Sequence, residues 1–396
     1  MKRFKTILLL FPALLFLFLV CCECPSPTSS NNNVNGTFAI TNGFLIDGSG
    51  SNPIPNSIII IKDGLIHSVG TNSSLNIPSD VDIIDLQGSY ILPGLMNTHV
   101  HSGYVANNLK VWANSGVTTV RDIGNFSSSP EQGFYIRDLL LSNNENARLV
   151  AAGPLVTTVG GYGNYPVTSS GDAEQKTNGL LDAGADLIKI AIEDNLQGRT
   201  WPILSMDEIK RICQTAHNRN KWVAAHISRS SHLDMAIKGG VDDVVHMVID
   251  NLPDSLITFM IEKNMYWVPT LELWKGVSDM FSINWIEIAK SNLQRFVQAG
   301  GKVALGTDFD GYVTHFDLGM PITEMKLMQE AGMTPMQIIV AGTINAASVC
   351  ELENDLGTIE EGKIADLIIV KNNPLEDLES LLHVQMVIHN GEIIKD

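Results

Sequence analysis

Two histidines one residue apart, His99 and His101, close the run Ile91-Leu92-Pro93-Gly94-Leu95-Met96-Asn97-Thr98. Alternate side chains of a strand point to one face, so a His-x-His pair at a strand end aims two imidazoles at one point. That is the donor arrangement a divalent metal takes. The pair gains weight from four more candidate ligands further along the chain. His226 ends Trp222-Val223-Ala224-Ala225-His226, His246 ends Asp243-Val244-Val245-His246, and Asp308 ends Val303-Ala304-Leu305-Gly306-Thr307-Asp308. Lys189 sits inside the apolar run Ala185-Asp186-Leu187-Ile188-Lys189-Ile190. The chain has ten histidines, and four of them fall at three such strand ends. A hydrogen-bonded core histidine, or Asp308 as a turn or helix-cap residue, explains each position singly but not the set.

Lys189 needs its own chemistry. Protonated lysine is not a metal ligand, but burial among apolar neighbours depresses its pKa. A neutral amine can add carbon dioxide, and the resulting carbamate is a bidentate anion able to bridge two ions. Six ligands with one bridging anion suit a pair of divalent ions about 3.5–4 Å apart. Nitrogen and oxygen donors without thiolate favour zinc, with manganese or cobalt as alternatives.

The elements that must position these groups alternate along the chain. Strand-like runs fall at 117–122, 148–152, 186–192, 222–227, 243–247, 265–270 and 302–307, and the strand ending at His99 makes eight. Helix-like segments such as 206–218 and 283–299 separate them. This alternation predicts parallel strands with helical crossovers. Eight units fit a (β/α)8 TIM barrel of about 250 residues, with catalytic groups at the C-terminal strand ends. A doubly wound open sheet is the other α/β option, but no Gly-rich phosphate fingerprint follows the first strand. The two ends of the chain read differently. Asp63-Gly64 and Asn390-Gly391 each separate two β-rich apolar runs and predict hairpins. We therefore expect a barrel over 94–356 and a small β-sandwich domain built from 37–93 plus 357–396.

Of the 396 residues 44% are hydrophobic, enough for a large core, and the formal net charge of −17 argues against a nucleic-acid partner. A small-molecule substrate is the expected partner; the oligomeric state is not read from the sequence. Lys2, Arg3 and Lys5 precede an apolar run over 7–20, which reads as a secretory signal over 1–22 or else an uncleaved anchor. The end Leu19-Val20-Cys21-Cys22 resembles a bacterial lipoprotein box with Cys22 lipidated, and the Ser-, Asn- and Pro-rich 23–36 reads as a flexible tether. The expected location is exported, either periplasmic or membrane-anchored as a lipoprotein. Beyond that region only Cys213 and Cys350 remain, which is no disulfide framework.

The chain resembles the amidohydrolase superfamily over roughly 37–396. The resemblance is carried by Leu92-Pro93-Gly94-Leu95-Met96-Asn97-Thr98-His99-Val100-His101, by Gly116-Val117-Thr118-Thr119-Val120-Arg121-Asp122, and by Ala304-Leu305-Gly306-Thr307-Asp308. The tail Leu356-Gly357-Thr358-Ile359-Glu360-Glu361-Gly362-Lys363-Ile364-Ala365-Asp366-Leu367 completes it. Lys189 on the fourth strand resembles the binuclear branch that contains Xaa-Pro dipeptidases and N-acyl amino acid hydrolases. Imidazolonepropionase is similar in barrel and tail but works with one metal and no such lysine. The resemblance implies a buried ion on His99, His101 and Asp308, and a more exposed ion on His226 and His246. It implies carboxylated Lys189 as the bridge and Asp308 as general base and then general acid. Tyr162 stands where relatives often carry His, and Met247 and Ile227-Ser228 also depart from the usual pattern. These departures bear on the substrate, not on hydrolysis.

Tyr162 and Tyr165 on the Gly-rich third loop, and His315 on the eighth, are the expected substrate-binding residues, with Trp274 on the seventh as a further rim aromatic. The activity expected is hydrolysis of a C–N bond in an Xaa-Pro dipeptide or N-acyl amino acid. Lactone or other ester hydrolysis is a second reading, and a non-catalytic tethered binding lipoprotein a third.

Overall fold

The computed structural model describes residues 37–124, 129–196, 198–312 and 314–396. The signal, Cys22 and tether expectations lie outside these residues. Among the described residues no helix is long and apolar enough to cross a membrane.

Eight parallel strands run in chain order through the middle of the chain. They are Leu95–Val100, Val117–Asp122, Arg148–Ala151, Ile188–Ala191, Val223–His226, Asp243–Val245, Tyr266–Val268 and Lys302–Val303. Seven expected runs contain their strands, the first strand runs one residue past His99, and the observed strands are mostly shorter than expected. Two further short strands, Val156–Thr158 and Tyr165–Val167, pair in parallel beside the fourth. They lie in the Gly-rich stretch expected to be loop; their three-residue length is too short to show a period.

The fold is a TIM-barrel-like α/β arrangement, but its ladder falls into a three-stranded and a seven-stranded sheet. Between the eighth and first strands the regular pairing breaks for local reasons. The Leu305 amide donates to Ala341 O instead of to a strand neighbour. The first strand shifts register between Asn97 and Val100, around His99. Single backbone bonds still cross each seam. Thr98 N donates to Leu305 O and Asp308 N to His99 O, both at 2.8 Å, while Asp186 N donates to Ala151 O at 2.9 Å. Apolar side chains from Leu95, Val120, Leu149, Ile190, Ala225, Val244 and Trp267 join the helices in the main core.

Both ends of the described chain build one eight-stranded sheet. Its order is Glu392–Lys395, Val384–His389, Leu367–Val370, Tyr90–Pro93, Phe38–Leu45, Ile54–Lys62 and Leu65–Thr71, with Asp82–Asp85 also on Phe38–Leu45. The two ends meet where Leu367 pairs with Pro93 and Ile369 with Ile91. Both expected hairpins are present, and their turns have the positive φ pairs that favour Asp-Gly and Asn-Gly: 52° and 81° at Asp63-Gly64, 50° and 78° at Asn390-Gly391.

Candidate metal centre

His99 lies within the first strand, Lys189 in the fourth, and His226 closes the fifth; His101 and His246 follow the ends of the first and sixth. Asp308 comes from the segment after the eighth. Five of the six are buried and His101 is half-buried. The rings form a continuous arc, with centroids 5.3 Å apart for His99 and His101, 4.9 Å for His99 and His246, and 4.6 Å for His226 and His246. Asp308 Oδ1 is 3.0 Å from both His99 Nε2 and His101 Nε2. The donor atoms of His99, His246 and Asp308 all lie within 4.8 Å of one another.

The backbone is bent to achieve this. His246 and Asp308 hold φ at 71° and 67°, in the left-handed region that non-glycine residues avoid. Trp267 Nε1 donates to His246 O at 2.7 Å and fixes that turn. Thr270, also left-handed at φ 48°, places its hydroxyl 2.8 Å from His246 Nδ1. That contact leaves Nε2 as the free nitrogen of His246. A Cβ on Gly311 would come within 2.6 Å of both Asp308 Oδ1 and His101 Cδ2, so no larger residue fits against this pair.

Burial dominates the electrostatics. It holds His99 and His246 well below the ordinary imidazole pKa, and lowers His226 too, so these rings favour the neutral form in which imidazole ligates. Burial works against charge on His101, but Asp308 outweighs it and raises that pKa. Burial alone would raise Asp308, yet His99 and His101 hold it well below the carboxylate range. Burial, helped by the Arg121 charge, pulls Lys189 down to about 7.

These residues fit a metal. Two donors each about 2.0–2.1 Å from one zinc ion lie roughly 3 Å apart, the spacing of Asp308 Oδ1 from its two histidine nitrogens. His99 Nδ1 is buried without a hydrogen-bond partner among the described residues. The donor set is nitrogen and oxygen only.

All six residues line one cavity of about 360 Å³. Tyr162 lines it as expected, stacked on His226 at 4.6 Å and edge-on to Trp201 at 5.2 Å. Trp274 lines it too, 6.2 Å from the His246 ring. Tyr165 and His315 do not. Tyr165 belongs to the short strand Tyr165–Val167, and Lys176 covers its ring at 5.7 Å. His315 is carried outward, where it lines a separate surface hollow with Glu272, Lys275 and Thr323. Sequence reasoning missed the hairpin of Asn195–Leu196 and Arg199–Thr200, which brings Leu196, Arg199 and Trp201 to the cavity. It also missed Glu193, although that residue shares the parity of Lys189, two alternations further along the same run.

The family resemblance is borne out by direct comparison. The profile of the amidohydrolase family matches residues 90–394. Ochratoxinase from Aspergillus niger is 25% identical over 89% of this chain and 85% of its own. The crystal structure of a Xaa-Pro dipeptidase with bound methionine superposes with a TM-score of 0.80 at 27% identity, covering 91% of this chain and all of the other. A putative prolidase from Bifidobacterium longum gives 0.77 at 26% identity, covering 91% and 94%. The chain therefore belongs to the amidohydrolase family and is a hydrolase acting on carbon–nitrogen bonds.

Proposed function

We propose that the protein hydrolyses the amide bond of a small acid such as an Xaa-Pro dipeptide or N-acyl amino acid, with two divalent ions as cofactor. The observation that carries this reading is the meeting of four histidines, Asp308 and a lysine of pKa about 7 in one cavity. In it, His99, His101 and Asp308 would hold the buried ion, His226 and His246 would hold the more exposed one, and Lys189, carboxylated to N6-carboxylysine, would serve both. Zinc suits the donor set. Such ions lower the pKa of water and polarise a carbonyl.

The chain's own residues do the rest. Asp308, held as the anion, orients the attacking water, takes its proton and delivers it to the leaving nitrogen as the C–N bond breaks. Tyr162, Trp201 and Trp274 exclude solvent from the acyl group. Arg199 stands on the wall of the cavity, and among the described residues it has no ion-pair partner. A guanidinium so placed matches a substrate carboxylate. This favours the amino-acid derivatives over a neutral lactone.

In the same reading the two parallel sheets form one closed barrel and the terminal sheet folds into a sandwich, with domain limits at 37–93 plus 357–396 and 94–356. Residues 1–22 are an export signal, with Cys22 as the lipid attachment site and 23–36 as tether.

Metal analysis of the purified protein, with hydrolysis of dipeptides, N-acyl amino acids and lactones with and without zinc, tests the reading. About two ions per chain and zinc-dependent amide cleavage are expected; one ion or none, without cleavage, overturns it. Arg199→Gln should raise KM for N-acyl amino acids about tenfold or more, the loss of one charge-assisted pair. It should leave the matching N-acyl amides unchanged, and equal effects on both would remove Arg199 from carboxylate binding.

A further inference from the structure

Glu193 is a buried carboxylate that the proposed reaction does not use, 1% exposed and just beyond the fourth strand. One of its oxygens is accounted for, since Oε1 accepts the Asn195 amide at 3.0 Å. Oε2 is buried and has no hydrogen-bond partner among the described residues. Three groups face it. His232 Nδ1 is 4.0 Å away but is taken, because it accepts the Ser228 amide while Nε2 faces Asp194 Oδ1 at 3.0 Å. Nδ1 therefore carries no proton to donate and cannot serve the carboxylate. The Ser228 hydroxyl is a second neighbour, itself buried and unpartnered. The third is His226 Nε2, at 3.4 Å, also buried and unpartnered. Three orphaned polar atoms that face one another in a dry site are costly apart and compatible together, the Ser228 hydroxyl and the His226 N–H as donors and the carboxylate as acceptor.

We propose that Glu193 is a positioning residue for His226: it takes the Nε2 proton in a hydrogen bond, fixes the tautomer and turns the Nδ1 lone pair to the more exposed ion. The two ring nitrogens of imidazole point in opposite senses, so a carboxylate at Nε2 leaves Nδ1 as the ligand. Among the described residues nothing hydrogen-bonds His226 Nδ1. Carboxylate–histidine–metal triads of this kind orient the ring and strengthen it as a donor, and losing the carboxylate costs about 10–100-fold in metal affinity. Tyr162, stacked on the His226 ring at 4.6 Å, sets the plane in which that proton is aimed.

This role for Glu193 rests on the two-ion reading of the site. It is tested by zinc titration of the full chain against a competing chelator, counting ions per chain and reading both affinities. Glu193→Ala should weaken one ion about 10–100-fold and spare the other. Glu193→Gln keeps an acceptor of the same shape without charge, folds on the same contacts and should show a smaller loss at the same site. Wild-type affinity for both ions in both variants overturns the role of Glu193. Equal weakening of both ions overturns it too, since His226 serves one ion alone. If the wild-type chain itself binds fewer than two ions, the two-ion reading falls, and that failure is distinct from the others.

Discussion

Asp308 carries the most chemistry for its size. Its oxygen sits 3.0 Å from two imidazoles, its backbone is left-handed, and Gly311 leaves room for the carboxylate where a Cβ would collide. Asp308→Asn keeps the shape and removes the proposed base. We expect turnover to fall by about 100- to 10,000-fold, with at least one ion retained by metal analysis; near-normal turnover would take proton transfer away from this residue. The candidate ligands were legible because few side-chain types bind metal, and all but Lys189, which lies inside its run, stand at or near the end of an apolar run. His226 and His246 needed only a period of two and a strand end to be found. Tyr165 and His315 were misplaced because loop direction depends on pairing and packing that leave no periodic trace. Arg199 and Trp201 were missed for a related reason, since strands of two residues have no pattern to read.

At the scale of elements, the helix Leu271–Phe281 shows how far the support of one candidate ligand extends. Thr270 precedes it in the capping position but makes no cap; its hydroxyl faces His246 instead. The vacated helix end is served from the helix Ile322–Glu330, where Glu324 accepts the Leu271 and Glu272 amides at 2.9 and 2.6 Å. No sequence signal announces a cap that comes from another helix, and this substitution was invisible before the fold was known. It also puts Glu272 beside Glu324, both buried. Burial, and for Glu272 the Glu324 charge, pushes Glu272 from an ordinary 4.5 to about 8, and burial does the same to Glu324. A carboxyl whose folded pKa is raised holds its proton longer in the native state than in the unfolded chain. Its stabilisation is complete below about 4.5 and is lost progressively as pH rises to about 8. Glu272→Gln should flatten this decline in denaturant midpoints measured from pH 5 to 8. An unchanged slope would mean that Glu272 is already ionised at pH 5.

Across the whole molecule, the terminal sheet and the parallel strands are joined by more than the chain. Only Gly94 separates Tyr90–Pro93, in the terminal sheet, from Leu95–Val100, which carries His99. Beside this junction Arg148, at the start of the third parallel strand, reaches across to Asp366 at 2.7 Å and also donates to Asn390 of the last hairpin. Asp366 is almost fully buried and accepts the Asn390 amide as well, so the pair ties the turn Asn390-Gly391 to the parallel strands. Burial alone would raise the Asp366 pKa, but Arg148 and His389 hold it below the ordinary value. A carboxylate lowered in this way stabilises above its ordinary pKa, and that contribution is lost as pH falls through the folded value. Arg148→Met keeps most of the side-chain volume and leaves a buried carboxylate without its main partner, at a cost of about 3–5 kcal/mol. The wild-type chain should melt in one transition, and the variant should melt earlier with a weaker acid limb. Zinc content measured well below the melting range should be unchanged, because Arg148 touches none of the six candidate ligand residues. If the variant instead loses zinc at low temperature while its melting point stays put, the terminal sheet shapes the metal centre directly, not by holding the strands in register.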